Sequence, residues 1–120
     1  MKKERFENNP ILKLCFRFSL GVIEYCETLE EQKKFVISRQ LLKSATSIGA
    51  NAIEAQGAES KPDFIHKMKI AGKEAEETQY WLWLCEASKD YPNCDELLKQ
   101  IDEINKVLGK IIHTSKKESS

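Results

Sequence analysis

Two histidines and four cysteines are the side chains of this 120-residue sequence best suited to metal or nucleophile chemistry. A di-metal site in a helical bundle needs carboxylates from four helices and two Glu-x-x-His pairs. The histidines here are His66 and His113, and the nearest approach to such a pair is Asp63-x-x-His66, which has no second copy. Cys15, Cys26, Cys85 and Cys94 form neither a C-x-x-C pair nor a zinc spacing. Three of them, Cys15, Cys26 and Cys85, recur on apolar helical faces, where a reduced cysteine acts as a small hydrophobe. None of Arg5, Arg17 and Arg39 is followed by a histidine at the Arg-x4–6-His spacing of nucleolytic helical bundles. Gly49 and Gly57 fall within or at the end of a predicted helix, so no glycine-rich phosphate loop is formed. No Ser-His-Asp or Cys-His arrangement is suggested either. The expectation is therefore no catalytic residue, no metal, no cofactor and no small-molecule substrate, in a protein that is not an enzyme.

Two polar groups remain. Asn51 and Glu54 sit in the uncharged part of the second predicted helix, and Lys73, Glu74 and Glu77 sit on the third. A buried carboxylate is costly unless paired. Glu54 is thus expected to pair with a group such as Lys73, within a buried network of Asn51, Glu54, Lys73 and Glu77 that fixes helix register. The alternative is a ligand or nucleic-acid contact.

The elements that must hold these residues are helices. Charged residues make up 32% and hydrophobic ones 41%, with five Gly and three Pro, which is a globular, helix-favouring balance. The length fits one domain, residues 1–120, large enough to bury a core without disulfides. Four helices are predicted near residues 10–29, 34–56, 61–89 and 94–113, with a disordered tail over 114–120. The first starts at Asn9-Pro10, a capping residue followed by a proline tolerated in the first turn. Its stripe is Ile11, Cys15, Phe18, Val22, Cys26 and Leu29. The second carries Ile37, Leu41, Ala45, Ile48, Ala52 and Ala55. It is uncharged from Ser44 to Ile53, a pattern that predicts cover on more than one side. The third opens at Ser60-Lys61-Pro62-Asp63 and carries Phe64, Met68, Ala71, Ala75, Thr78, Leu82 and Cys85. The fourth opens near Asn93 and carries Leu97, Ile101, Ile104, Leu108 and Ile111. Short connectors make the expected fold an all-α, antiparallel up-and-down four-helix bundle. No apolar run is long enough to span a bilayer and no signal-type segment is found, so a cytoplasmic location is expected, with no membrane partner.

Angular position leaves Leu42, Ile53, Tyr80 and Trp83 facing away from the expected core, and these four are the predicted subunit interface. Net charge is zero, yet the charge is blocked along the chain: +3 over 1–19, −4 over 20–32, +5 over 33–73, −7 over 74–103 and +3 over 104–120. The basic block supplies a candidate nucleic-acid contact: Lys33, Lys34, Arg39, Lys43, Lys61, Lys67, Lys69 and Lys73.

The segment Ser44-x-x-Ser47-Ile48-Gly49-Ala50-Asn51-Ala52-Ile53-Glu54-Ala55 resembles a bacterial family. So do Ser60-Lys61-Pro62-Asp63-Phe64-Ile65 and Ile70-Ala71-x-Lys73-Glu74-Ala75-x-Glu77-Thr78-x-Tyr80-Trp81-Leu82. The family is that of the four-helix bundle proteins encoded in intervening sequences of 23S ribosomal RNA genes, also labelled S23 ribosomal proteins. The resemblance covers roughly residues 35–85, with Gly72 standing where a larger apolar residue is usual. It implies a bundle that assembles as a homopentamer. It also implies a relation to the accessory proteins of diversity-generating retroelements, which are strongly basic and bind nucleic acid and a reverse transcriptase. The zero net charge departs from that branch, because Lys and Arg supply most non-specific nucleic-acid affinity. The expected function is a non-enzymatic, homo-oligomeric helical protein that binds RNA or a nucleic-acid-processing partner. The competing expectation is a protein–protein interaction scaffold with no nucleic-acid role.

Overall fold

The computed structural model describes residues 2–119, without the side chains of Arg5 and Ser119. Five helices and no strand are present among the described residues: α1 (Lys3–Glu7), α2 (Pro10–Glu31), α3 (Phe35–Ala55), α4 (Lys61–Ala87) and α5 (Asp95–Ser119).

Local chemistry sets the boundaries. The Asn9 side chain accepts from the Leu12 N–H at 3.3 Å and caps α2, with Pro10 in the first turn. The Ser60 hydroxyl accepts from the Asp63 N–H at 3.2 Å, while the Asp63 carboxylate accepts from the Glu59 N–H at 3.2 Å. The reciprocal partner of the cap thus reaches one residue further back than a capping box requires. Helix α2 ends in a Schellman motif, in which the Lys33 N–H donates to the Glu30 carbonyl and the Lys34 N–H to the Leu29 carbonyl. Lys33 takes the left-handed conformation at φ 62°, where glycine is usual.

The four long helices form a closed circuit, α2 to α3 to α4 to α5 and back to α2, and among the described residues their backbones approach along the sides of this circuit rather than across its diagonals. Start-to-end pairings tie neighbours together. The Asn9 amide donates to the Gln56 side chain at 3.3 Å, and the Ser38 hydroxyl donates to the Cys26 carbonyl at 3.3 Å. Between α4 and α5 the link lies within the helices, where the Asn105 amide donates to the Gln79 side chain at 3.5 Å. The core is the set of predicted stripes, including Phe18, Val22, Leu41, Ile48, Met68, Leu82, Ile101 and Leu108, all buried. Ile37, Phe64 and Ile111 are only half-buried at its edge. All four cysteines are buried and free.

Two boundaries differ from the sequence expectation. Helix α1 precedes the first expected helix, and its Phe6 ring packs edge-on against Phe16, with centroids 5.1 Å apart. At the other end the expected disordered tail is helix through Ser119, with Ser120 outside the described residues. Ser115 is buried there and the Lys61 ammonium pairs with the Glu118 carboxylate at 3.2 Å. Helix α4 is 27 residues long, so its first turns need the last turns of α5 beside them. The polar run after Thr114 hides this requirement.

Candidate functional site

Apolar side chains in excess of what the core uses are the most conspicuous feature of the surface. On α2, Phe16, Leu20 and Ile23 recur at helical spacing but outside the core stripe, and Phe16 and Leu20 are 53% and 50% exposed. Phe16 and Leu20, with Phe6 and Ile53, line a groove of about 780 Å³, whose rim carries Lys3, Lys13, Arg17 and Glu7. Of the four expected interface residues, Ile53 belongs to this groove and Leu42 is half-buried. Tyr80 and Trp83 lie elsewhere, on α4, and are 52% and 51% exposed. The row Gly72, Glu76 and Gln79 of α4 faces α5, and Tyr80 and Trp83 continue that row by one turn. The four residues therefore lie on two sides of the bundle rather than one. Phe16, Leu20 and Ile23 were missed by sequence reasoning, although their i, i+4, i+7 spacing is a second apolar stripe on the same helix.

The expected buried network is not formed within the protomer. Glu54, Lys73 and Glu77 are exposed, and the half-buried Asn51 amide donates to the Ser47 carbonyl of its own helix at 2.8 Å. The Glu77 carboxylate accepts instead from the Trp81 indole N–H at 3.1 Å. Most of the uncharged run in α3 is buried or half-buried in the protomer, and Ala50 and Ile53 are its exposed members. The polar contact that does cross the core joins the fully buried hydroxyls of Ser44 and Thr78, 2.8 Å apart. Glu74 is the carboxylate that the fold perturbs. Burial pushes its pKa up, the neighbouring Glu77 adds to the shift and Lys43 opposes it.

The eight basic residues of the 33–73 block are not gathered into one face. The Lys34 ammonium lies 4.8 Å from the centre of the Tyr91 ring, just before α5, whereas Lys61 pairs with Glu118 near the end of α5. The 25 residues of α5 separate these points by about 37 Å. Lys33, Lys34 and Arg39 thus sit at one end of the bundle, and Lys61, Lys67, Lys69 and Lys73 towards the other. Lys43 lies between them, beside Glu74. A different basic cluster forms where α4 meets the last turns of α5. Lys116 faces Lys69, and together with Lys73 it drives the Lys69 pKa down. Residues far apart in sequence make this cluster, so no linear block could reveal it.

The thiols are inert by placement. Burial pushes Cys15 up to about 12, and it pushes Cys85 up to about 11 although its contact with the Tyr25 hydroxyl opposes the rise. The Tyr25 hydroxyl donates to the Pro92 carbonyl at 2.8 Å. Among the described residues no three His, Cys, Asp or Glu side chains gather to hold a metal, and no helix is long and apolar enough to cross a membrane.

Against known families, residues 7–110 match the 23S rRNA-intervening sequence protein model. The chain belongs to this family. A solved structure from Bacteroides thetaiotaomicron, described as a protein of unknown function from the S23 ribosomal protein family, is similar at 41% identity with a TM-score of 0.81. The similarity covers 85% of this chain and 97% of that one. No curated protein matches the chain. Family membership thus accounts for the helical architecture, while the surface of this member has to be read on its own residues.

Proposed function

We propose that this 23S rRNA-intervening sequence family protein is a non-enzymatic, self-associating helical scaffold that binds RNA through the α4–α5 basic cluster. Its protomer is an up-and-down bundle, a reading supported by the pairings of Asn9 with Gln56 and of Cys26 with Ser38. The family resemblance implies five copies in the assembly, and a cytoplasmic location suits the free buried thiols.

The observation that carries RNA binding is the like-charge cluster of Lys69, Lys73 and Lys116. Among the described residues none of the three forms an ion pair with a carboxylate, so they repel one another, and a phosphodiester backbone relieves that repulsion. Repetition of the cluster around an oligomer raises the local potential although each chain is neutral overall.

Binding of a single-stranded RNA at increasing salt tests this. Three phosphates neutralised per protomer give a log–log slope of about −2, so affinity falls roughly twenty-fold between about 50 and about 200 mM salt. Replacing Lys69, Lys73 and Lys116 by Gln removes that dependence. Absence of binding at low salt, or binding indifferent to the three replacements, contradicts the proposal. The second reading, a protein-interaction scaffold, is favoured by the apolar groove on α2 and α3. Capture of a partner that survives nuclease treatment would support it.

A further inference from the structure

We infer that the protein assembles head to tail, the groove over α2 and α3 of one copy receiving the Tyr80–Trp83 ridge of the next. This rests on the self-association proposed above and specifies which surface meets which.

The circuit of helices puts the two surfaces on opposite sides of the bundle. The groove is bounded by Phe6, Phe16, Leu20 and Ile53, on α1, α2 and α3. The ridge stands on α4 beside α5, and α4 lies diagonally across the circuit from α2, their backbones not approaching one another among the described residues. One surface is concave and the other convex. A symmetric pairing of like with like would set groove on groove or ridge on ridge and leave the second apolar surface in water. A groove-to-ridge contact covers both in every copy of a closed ring.

Charge favours the same pairing. Three cations, Lys3, Lys13 and Arg17, and one carboxylate, Glu7, border the groove. The ridge is bordered by exposed carboxylates, with Glu76 and Glu77 one turn before Tyr80 and Glu86 three residues after Trp83. Groove on groove would oppose cations, and ridge on ridge would oppose carboxylates. The area is also adequate. Seven large apolar side chains on or beside these surfaces are 38–53% exposed, each offering on the order of 100 Å². Together they approach the apolar share of the smallest standard-size interface, about 700 Å².

The test uses two variants of the full chain, each with one surface spoiled: Leu20→Glu in the groove and Trp83→Glu on the ridge. Light scattering is expected to show each variant alone as a monomer and their equimolar mixture as a dimer. Each still carries the intact surface that the other lacks, and growth stops after one contact. A mixture that stays monomeric, or either variant keeping the wild-type mass, overturns the pairing. Wild-type protein that is itself monomeric overturns the underlying proposal of self-association instead. If circular dichroism shows a Glu variant to be unfolded, Leu20→Ser and Trp83→Ser are read in the same way. A second measurement is independent of the apolar residues: Arg17→Glu weakens assembly, and adding Glu76→Lys in the same chain restores it.

Discussion

Gly49→Ala sets two opposing effects against each other where α3 packs on α2. A Cβ built on Gly49 falls 3.2 Å from the Cβ of Cys15, closer than van der Waals contact. That neighbour is bonded directly to the backbone of α2 and cannot swing aside, so relief requires the helices to separate. Overpacking of this kind costs about 1–3 kcal/mol. Against it stands the gain from replacing a glycine inside a helix, about 0.5–1 kcal/mol. No glycine in the described chain has a positive φ, so backbone conformation adds no further penalty. The contact wins, and the variant is expected to be about 1 kcal/mol less stable, a melting temperature roughly 3–6 °C lower. Gly109→Ala is the matched control, because its Cβ meets nothing within 4 Å and the helix gain stands alone. Thermal melts by circular dichroism must be run at one fixed concentration, since association shifts the midpoint. Gly49→Ala as stable as wild type, with Gly109→Ala stabilised as expected, would refute the reasoning that glycine sets this helix spacing.

Four further outcomes are expected. Thiol titration at pH 8 should find none of the four cysteines reacting quickly in the native protein and all four after denaturation; a fast native thiol would contradict their burial. The folded state keeps Cys15 protonated up to about 12 and Cys85 up to about 11, whereas the unfolded thiols ionise near 9. Unfolded chains therefore bind fewer protons above that pH, and stability falls as pH rises from about 9 towards 12, visible as a declining denaturation midpoint. In a double-mutant cycle Ser44→Ala and Thr78→Val should couple by about 1 kcal/mol, with additive losses contradicting the buried hydroxyl pair. Lys33→Gly should raise the urea midpoint by roughly 1 kcal/mol of stability, because Lys33 occupies a left-handed position; a loss would show that its side chain matters more than its backbone.

Much of the interior was legible because it follows a single period. Met68, Ala71, Ala75, Thr78, Leu82 and Cys85 are buried as the heptad pattern requires, and Asn9 and Ser60 cap where their side chains can reach free N–H groups. The surface was less legible because its features join residues distant in sequence. The uncharged stretch of α3 suggested a buried Glu54, yet Glu54 stands with Ile53 on the exposed face of the helix while Ala52 and Ala55 face the core. A basic block continuous along the chain was divided between the two ends of the bundle once the helices folded back. The cluster that formed instead draws Lys69 and Lys73 from α4 and Lys116 from α5. Ser115 is small and polar, so the pattern gave no sign that α5 stays packed beyond Thr114.

The account rests most heavily on the claim that the protomer is built to be covered by further copies. The mass of the wild-type chain in dilute salt solution, by sedimentation equilibrium or native mass spectrometry, tests it directly. The prediction is a whole multiple of the 13.8 kDa protomer, with five copies as the family resemblance implies. A mass of one protomer across the micromolar range would contradict it and leave the groove and the ridge without the partner proposed for them.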